Sequence, residues 1–386
     1  MKRIAQNRFK ALTSACVLSM MATVAWSQQP SIRWLGTVFT ESWARGVSAD
    51  GSTAVGFFMH PSGWNRAFRW TASTGMVDLG TFGGGYSRAN AASANGSVVV
   101  GWAHNSSQVM RAFRWTASGG MQNLGTLGGS SSNAWAVSAD GSVVVGWAAT
   151  SGGATHAFVW RATSGMQSLG TLGGNQSEAQ GVSSDGSVVV GYAADAQGRR
   201  LAFRWTAASG MRSLGTLGGN ESAAWGVSGD GSVVVGYSID SEGRFRAFRW
   251  TQETGMQDLG TLGGAESYAY GVSADGSVVV GWADDSLGRR RAFRWTASGG
   301  MEDLNVTYAG LLGESRLAVA RAISPDGRYI VGWGFNAQRG LSEAFLLDTA
   351  GTPPPPPPVG DVNGDGCVDD ADLLLLLFNF GTGCGR

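Results

Sequence analysis

The residues whose types and spacing most resemble a chemical site lie near the C-terminal end, in the stretch GDVNGDGCVDDAD, residues 360–372. Counted from Asp361, side-chain oxygens fall at positions one, three, five, nine and twelve, as Asp361, Asn363, Asp365, Asp369 and Asp372. Gly366 stands at position six, where a calcium loop turns sharply, and the main-chain carbonyl of Cys367 stands at position seven. Hard oxygen ligands on a twelve-residue loop are the donor set for Ca2+, so these six residues are the candidate metal ligands. Cys367 and Cys384 are the two cysteines left once Cys16 is set aside, and an even pair suits a disulfide in an oxidising compartment.

Other chemistry is harder to place. His60, His104 and His156 are widely separated, with no metal-ligand spacing and no nucleophile motif beside them. Asp195, Asp240 and Asp285 recur at matching positions, joined by Glu242 and Asp284, and each is followed by arginines: Arg199 and Arg200, Arg244 and Arg246, and Arg289 to Arg291. Paired carboxylates suit glycoside cleavage. Positionally matched acids and bases are more simply read as a solvated row of ion pairs, so no catalytic residue is assigned and the chain reads as non-enzymatic.

Such residues must be held by something, and the chain between residues 31 and 348 is one unit written seven times. The Asp-Gly or Asn-Gly marker falls at residues 50, 95, 140, 185, 230, 275 and 326. AFRW-like segments end at Trp70, Trp115, Trp160, Trp205, Trp250 and Trp295, and LGTLGG-like segments start at Leu79, Leu124, Leu169, Leu214 and Leu259. Each unit holds four short runs with strand character; in one they are 256–260, 270–273, 277–282 and 291–295. The Asp-Gly pair is expected to supply the positive φ angles of a tight hairpin turn. The VVV run has no polar alternation and reads as an inner strand. Four strands per unit of about 45 residues predict an all-β fold: a seven-bladed β-propeller of four-stranded blades over residues 28–350. Segment 32–36 is expected to complete the last blade.

The order of parts resembles a WD repeat, and Ser324-Pro325-Asp326-Gly327 spells a turn of that family. The stretch from Thr155 to Trp160, followed by LGTLGG at Leu169, is similar to the extracellular HAF repeats, named after a His-Ala-Phe triplet. Most units carry Arg in place of that His. The resemblance covers about four fifths of the chain and implies an exported, propeller-like protein; it carries no established reaction. The tail, with Asp at position twelve and no preceding helix, resembles one loop-helix half of a dockerin, with 371–380 as its helix and Gly381 as its stop. A dockerin normally has two such loops and one is found here. The resemblance implies a cohesin-like or cell-surface partner.

The remaining segments frame these modules. Residues 1–27, with Lys2, Arg3, Arg8 and Lys10 ahead of an apolar run, read as a secretory signal peptide cleaved after Ala25-Trp26-Ser27; Cys16 lacks a good lipobox. Removing them leaves 24 basic against 28 acidic residues, without the surplus that nucleic acid or an anionic membrane calls for. No further stretch is long and apolar enough for a membrane span. Residues 351–359, with six prolines, form a stiff spacer before the tail, 360–386. A protein or glycan ligand is expected on the propeller face that carries the variable loops, where Trp43, Trp135, Trp225, Tyr268 and Tyr270 cluster, with packing between blades as the competing role for those rings. The lengthened segment 306–321 is a contact site or a closure device. Together these features suggest a secreted, extracellular or surface-associated binding or scaffold protein. An extracellular carbohydrate-active hydrolase or lyase on the same ring is the alternative.

Overall fold

In a computed structural model, residues 29–37 and 40–351 are described. The signal segment, the proline spacer and the whole candidate calcium tail, including Cys367 and Cys384, lie outside the described residues.

The described chain is all-β, with 28 strands and two one-turn helices. Five sheets have four strands each, and a sixth has eight, being two quartets joined at a single parallel pairing, Thr155 with Gln176. Within a quartet the strands run antiparallel in sequence order, as in Gly173–Val182, Val188–Asp195, Arg200–Thr206 and Gly210–Ser213. One quartet is assembled from both ends of the repeat region. Ser31–Trp34 pairs with Leu341–Asp348, which follows Tyr329–Asn336 and Arg316–Ile323.

The hydrophobic clusters lie between quartets rather than within them. One joins Val143, Val145, Ala157 and Val159 to Ala179, Val189, Ala193 and Phe203 of the next unit. Another joins Ala44, Val47, Phe58 and Phe68 of the first unit to Val331 and Ala344 of the last. The phenylalanine of every AFRW-like segment, from Phe68 to Phe345, is fully buried in this way. Burying such a side chain contributes about 1.5–3 kcal/mol, and none of it is available to a unit standing alone.

A serine staples each of these interfaces but one. Ser177 Oγ accepts from the Ala157 amide of the preceding unit (2.8 Å) and donates to Gly170 O (2.5 Å). Ser42 does the same across the chain ends, accepting from Ala344 N and donating to Gly36 O. Where the last inner strand lacks that serine, Asn305 bonds both the amide and the carbonyl of Leu317. The helical turns Leu304–Thr307 and Ala309–Leu312 bury Leu304 and Leu312 in the cluster between the sixth unit and the composite quartet.

Two expectations need correction. The Asp-Gly hairpin has positive φ on glycine alone, since Gln108 is the one non-glycine residue with positive φ among the described residues. The Gly186 amide donates to Ser183 O, and Asp185 instead accepts from the Ser183 hydroxyl and the Ser187 amide. The carboxylate does the folding work expected of a second positive φ. The other correction concerns the inner strand: 270–273 is only the end of Gly263–Val272, so the supposed variable loop is largely the first part of the strand.

Candidate binding site

Near its C-terminal end each inner strand carries an extra residue relative to its neighbour, a β-bulge. In the fourth unit Ala179 pairs with Gly191 and Gly181 with Val190, leaving Gln180 unmatched. The equivalent residues are Arg45, Asn90, Trp135, Trp225, Tyr270 and Arg321, all lying in register shifts of their strands. A bulge re-aims its side chain, and these seven positions hold arginine, asparagine, tryptophan, glutamine or tyrosine where the flanking residues are nearly constant.

They converge. The Arg45 guanidinium lies 5.7 Å from the Trp135 ring, two units away, and Arg321 lies 5.8 Å from the Trp225 ring, also two units away. Contacts between units that are not neighbours in the array require side chains to meet on a common axis. Below this layer, a cavity of about 200 Å³ is lined by Val47, Ala92, Val137, Val182, Val227, Val272 and Ile323, together with a turn residue from each unit after the first. Around its lower rim the turn amides link unit to unit: Ala49 to Ala94 O, Ala94 to Ala139 O, Ala139 to Ser184 O, Ser184 to Gly229 O, Gly229 to Ala274 O and Ala274 to Pro325 O. Pro325 has no amide hydrogen, so it can offer no equivalent bond to the first unit.

Charge is segregated in the upper layer. Arg45 and Arg321 belong to adjoining units, and Arg88 follows them. Burial, followed by repulsion from Arg321 and Arg88, pulls the Arg45 guanidinium down to about 9, and burial lowers Arg321. Among the described residues none of the three has a carboxylate within ion-pair distance, and Arg45 Nε is buried without a hydrogen-bond partner. Arg321 lies over Tyr270 at 4.3 Å and Arg88 over Phe57 at 4.4 Å, and Arg88 also donates to the Asn65 amide oxygen. On the far side, burial pushes the Glu178 carboxyl up, against its hydrogen bond with the Tyr192 hydroxyl. Gln180 Nε2 donates to Glu178 Oε2 at 3.2 Å, and Tyr237 donates to Glu221 at 2.5 Å.

The aromatic residues singled out in the sequence thus fall into two sets. Trp43 stacks on Phe57 at 4.9 Å and Tyr268 on Trp282 at 4.7 Å, each packed across its own sheet. Trp135, Trp225 and Tyr270 sit at bulges on the axis. The partners of these rings in the layer, Arg45 and Arg321, were not singled out in the sequence; the signal available was that their register varies in chemical type between nearly constant alanine and glycine neighbours.

The other candidates are scattered. His60 contacts Ser62 Oγ at 2.7 Å, His156 contacts Ser168 Oγ at 2.9 Å, and His104 packs against Tyr86 and Trp102. Among the described residues no group of three or more His, Cys, Asp or Glu side chains is placed to hold a metal. Asp240 is held well below the carboxylate range by the Arg244 amide, against partial desolvation, with the Arg244 and Arg246 side chains assisting. Asp195 and Asp285 pair in the same way, with Arg199 at 2.7 Å and with Arg289 at 2.8 Å. These acids fasten the hairpin loops, and their geometry suits a permanently ionised carboxylate rather than a proton donor.

Comparison with known proteins gives the fold alone. No family profile matches the chain, and no curated protein matches it. Among solved structures, the BP39L lectin from Burkholderia pseudomallei aligns at a TM-score of 0.50 with 9% identity, over 85% of this chain and 98% of that one. A puromycin hydrolase mutant aligns at 0.51 with 17% identity, over 84% of this chain and 52% of that one. TolB from Acinetobacter baumannii aligns at 0.45 with 13% identity, over 75% and 77%. The chain is all-β and built on a propeller-like scaffold.

Proposed function

We propose that the chain is an exported, non-enzymatic binding module: a seven-bladed β-propeller whose upper axial layer takes a glycan or protein ligand, attached to a surface partner by a calcium-dependent tail. One observation carries the reading of the ring. Seven bulged positions of differing chemical type, set between nearly constant neighbours, meet on one axis, and rigid frames with local variation are where recognition lies. Packing of the first unit against the last, through Ser42 and Ala344, supports ring closure.

The attachment reading rests on Asp361, Asn363, Asp365, Cys367, Asp369 and Asp372 as a Ca2+ loop and on a proline spacer that holds it away from the ring. Calcium titration by calorimetry on the full chain tests it. One site is expected in the parent and none after Asp361→Ala with Asp365→Ala; an absence of binding in the parent would remove the metal module and leave the ring as the sole lead.

A hydrolase or lyase is the second reading, and Glu178 is the observation in its favour, since its buried carboxyl is pushed up as a general acid requires. Both Gln180 and Tyr192 engage that carboxyl, which favours a structural part for it.

A further inference from the structure

We infer that the ligand of the upper axial layer presents a carboxylate, that of a uronate residue at the end of a glycan, to Arg45 and Arg321. This deepens the binding-module reading and rests on it.

Two guanidinium groups from adjoining units point into one layer without a carboxylate in reach, and a third, Arg88, adds to their field. A half-buried charge without a counter-charge works against folding, and apolar residues of similar size would stabilise the apo protein better. Their partners are aromatic faces, which hold the planar groups in position while leaving N–H donors unused. Arg45 Nε is one such donor. A preset pair of guanidinium planes matches an oxyanion with planar, bidentate acceptors.

The arrangement also argues for one charge rather than a string of them. Away from the axis, the loop arginines Arg199, Arg244 and Arg289 are already neutralised by Asp195, Asp240 and Asp285. Among the bulged positions, positive charge is confined to Arg45 and Arg321, with Arg88 beside them, whereas Arg69, Arg114, Arg204 and Arg249, also without a carboxylate partner among the described residues, bond turn carbonyls of the next unit. An acidic peptide run would require a basic stripe, and lysines occur only at positions 2 and 10. The remaining bulge positions, Asn90, Trp135, Gln180, Trp225 and Tyr270, supply amides and aromatic rings, the partners that sugar hydroxyls and ring faces use. Glu178 and Glu221 on the opposite side set the polarity, placing the carboxylate against the arginines.

The test is calorimetry on the full chain with a neutral oligosaccharide ending in a single uronate, its methyl ester, the same oligosaccharide without the uronate, and a short neutral peptide ending in a free carboxylate. Oligosaccharides ending in galacturonate and in glucuronate are run as separate acidic arms. At least one acidic arm is expected to bind at least tenfold tighter than the methyl ester. Arg45→Gln and Arg321→Gln should each weaken that binding at least tenfold, whereas Arg212→Gln on an exposed outer strand should not change it. Melting temperatures of the axial variants at or above the parent's would show that the loss is not unfolding. Preference for the peptide, or acidic binding that survives both axial substitutions, overturns the uronate assignment. Binding of the neutral sugar alone overturns it too and leaves the binding module standing; silence in every arm sinks both.

Discussion

At the scale of single residues, the turn aspartates show how the repeat uses charge. In the third unit Asp140 Oδ1 accepts from the Ser138 hydroxyl at 2.6 Å and the Ser142 amide at 2.9 Å. These bonds, with the Ser138 hydroxyl leading, lower its pKa to about 2, and Asp50, Asp185, Asp230 and Asp275 are lowered by the same pattern. A depressed carboxylate contributes stability that is complete above the unfolded pKa of about 4 and lost as pH falls through the folded value. Denaturant midpoints should therefore drop between about pH 4 and pH 2. Asn95 makes the same bonds with an amide oxygen, 2.8 Å to Ser93 Oγ and 3.0 Å to Ser97 N. Asp140→Asn should thus leave the midpoint at pH 6 nearly unchanged and flatten its acid slope; an unaltered slope would mean that these turns do not govern acid unfolding.

At the scale of the strand, the bulge explains a glycine that the repeat pattern left without a role. A Cβ on Gly191 would lie 1.9 Å from Glu178 O, because the bulged inner strand pushes that carbonyl onto its neighbour. Gly56, Gly101, Gly146, Gly236, Gly281 and Gly332 face the same approach in their own units. Overpacking of this kind costs about 1–3 kcal/mol or more. Gly191→Ala is expected to destabilise by at least about 2 kcal/mol in denaturant melts, whereas Gly198→Ala, in an open loop, should act through its positive φ alone and cost less. Equal costs would show that the inner strand can relax. Legibility at this scale was uneven. Strand count, unit boundaries and the pairing of 32–36 with the last unit were readable, because β-branched runs, Gly-Ser turns and a fixed period report local structure directly. The bulge was not. It arises from a length mismatch between paired strands, and single-chain periodicity does not register it; residues 263–269 consequently read as loop, and Arg45 and Arg321 were passed over. Trp135, Trp225 and Tyr270 were noticed, but sequence could not separate them from Trp43 and Tyr268, which differ by two places along a strand.

At the scale of the molecule, stability depends on joining the last unit to the first. Ser31–Trp34 covers the outer edge of Leu341–Asp348, Leu35 N donates to Ala344 O at 2.9 Å, and Gly36 N donates to the buried Glu343 carboxylate at 2.6 Å. Deleting residues 31–36 should expose that edge and the cluster beneath it, lowering the thermal midpoint and raising the tendency to self-associate by edge pairing. Light scattering against temperature checks this. A truncated protein that melted and scattered like the parent would show that the contacts of Ser42 and the core with the last unit suffice for closure.

The position of that final strand has a mechanical consequence. Leu341–Asp348 is hydrogen-bonded along both edges, and Arg328 clamps its end by gripping both oxygens of Asp348 at 2.7 Å. A pull on the chain beyond Asp348 is therefore shared by two ladders and an ion pair before the first strand slips, so the element nearest any tether is one of the hardest in the ring to peel away.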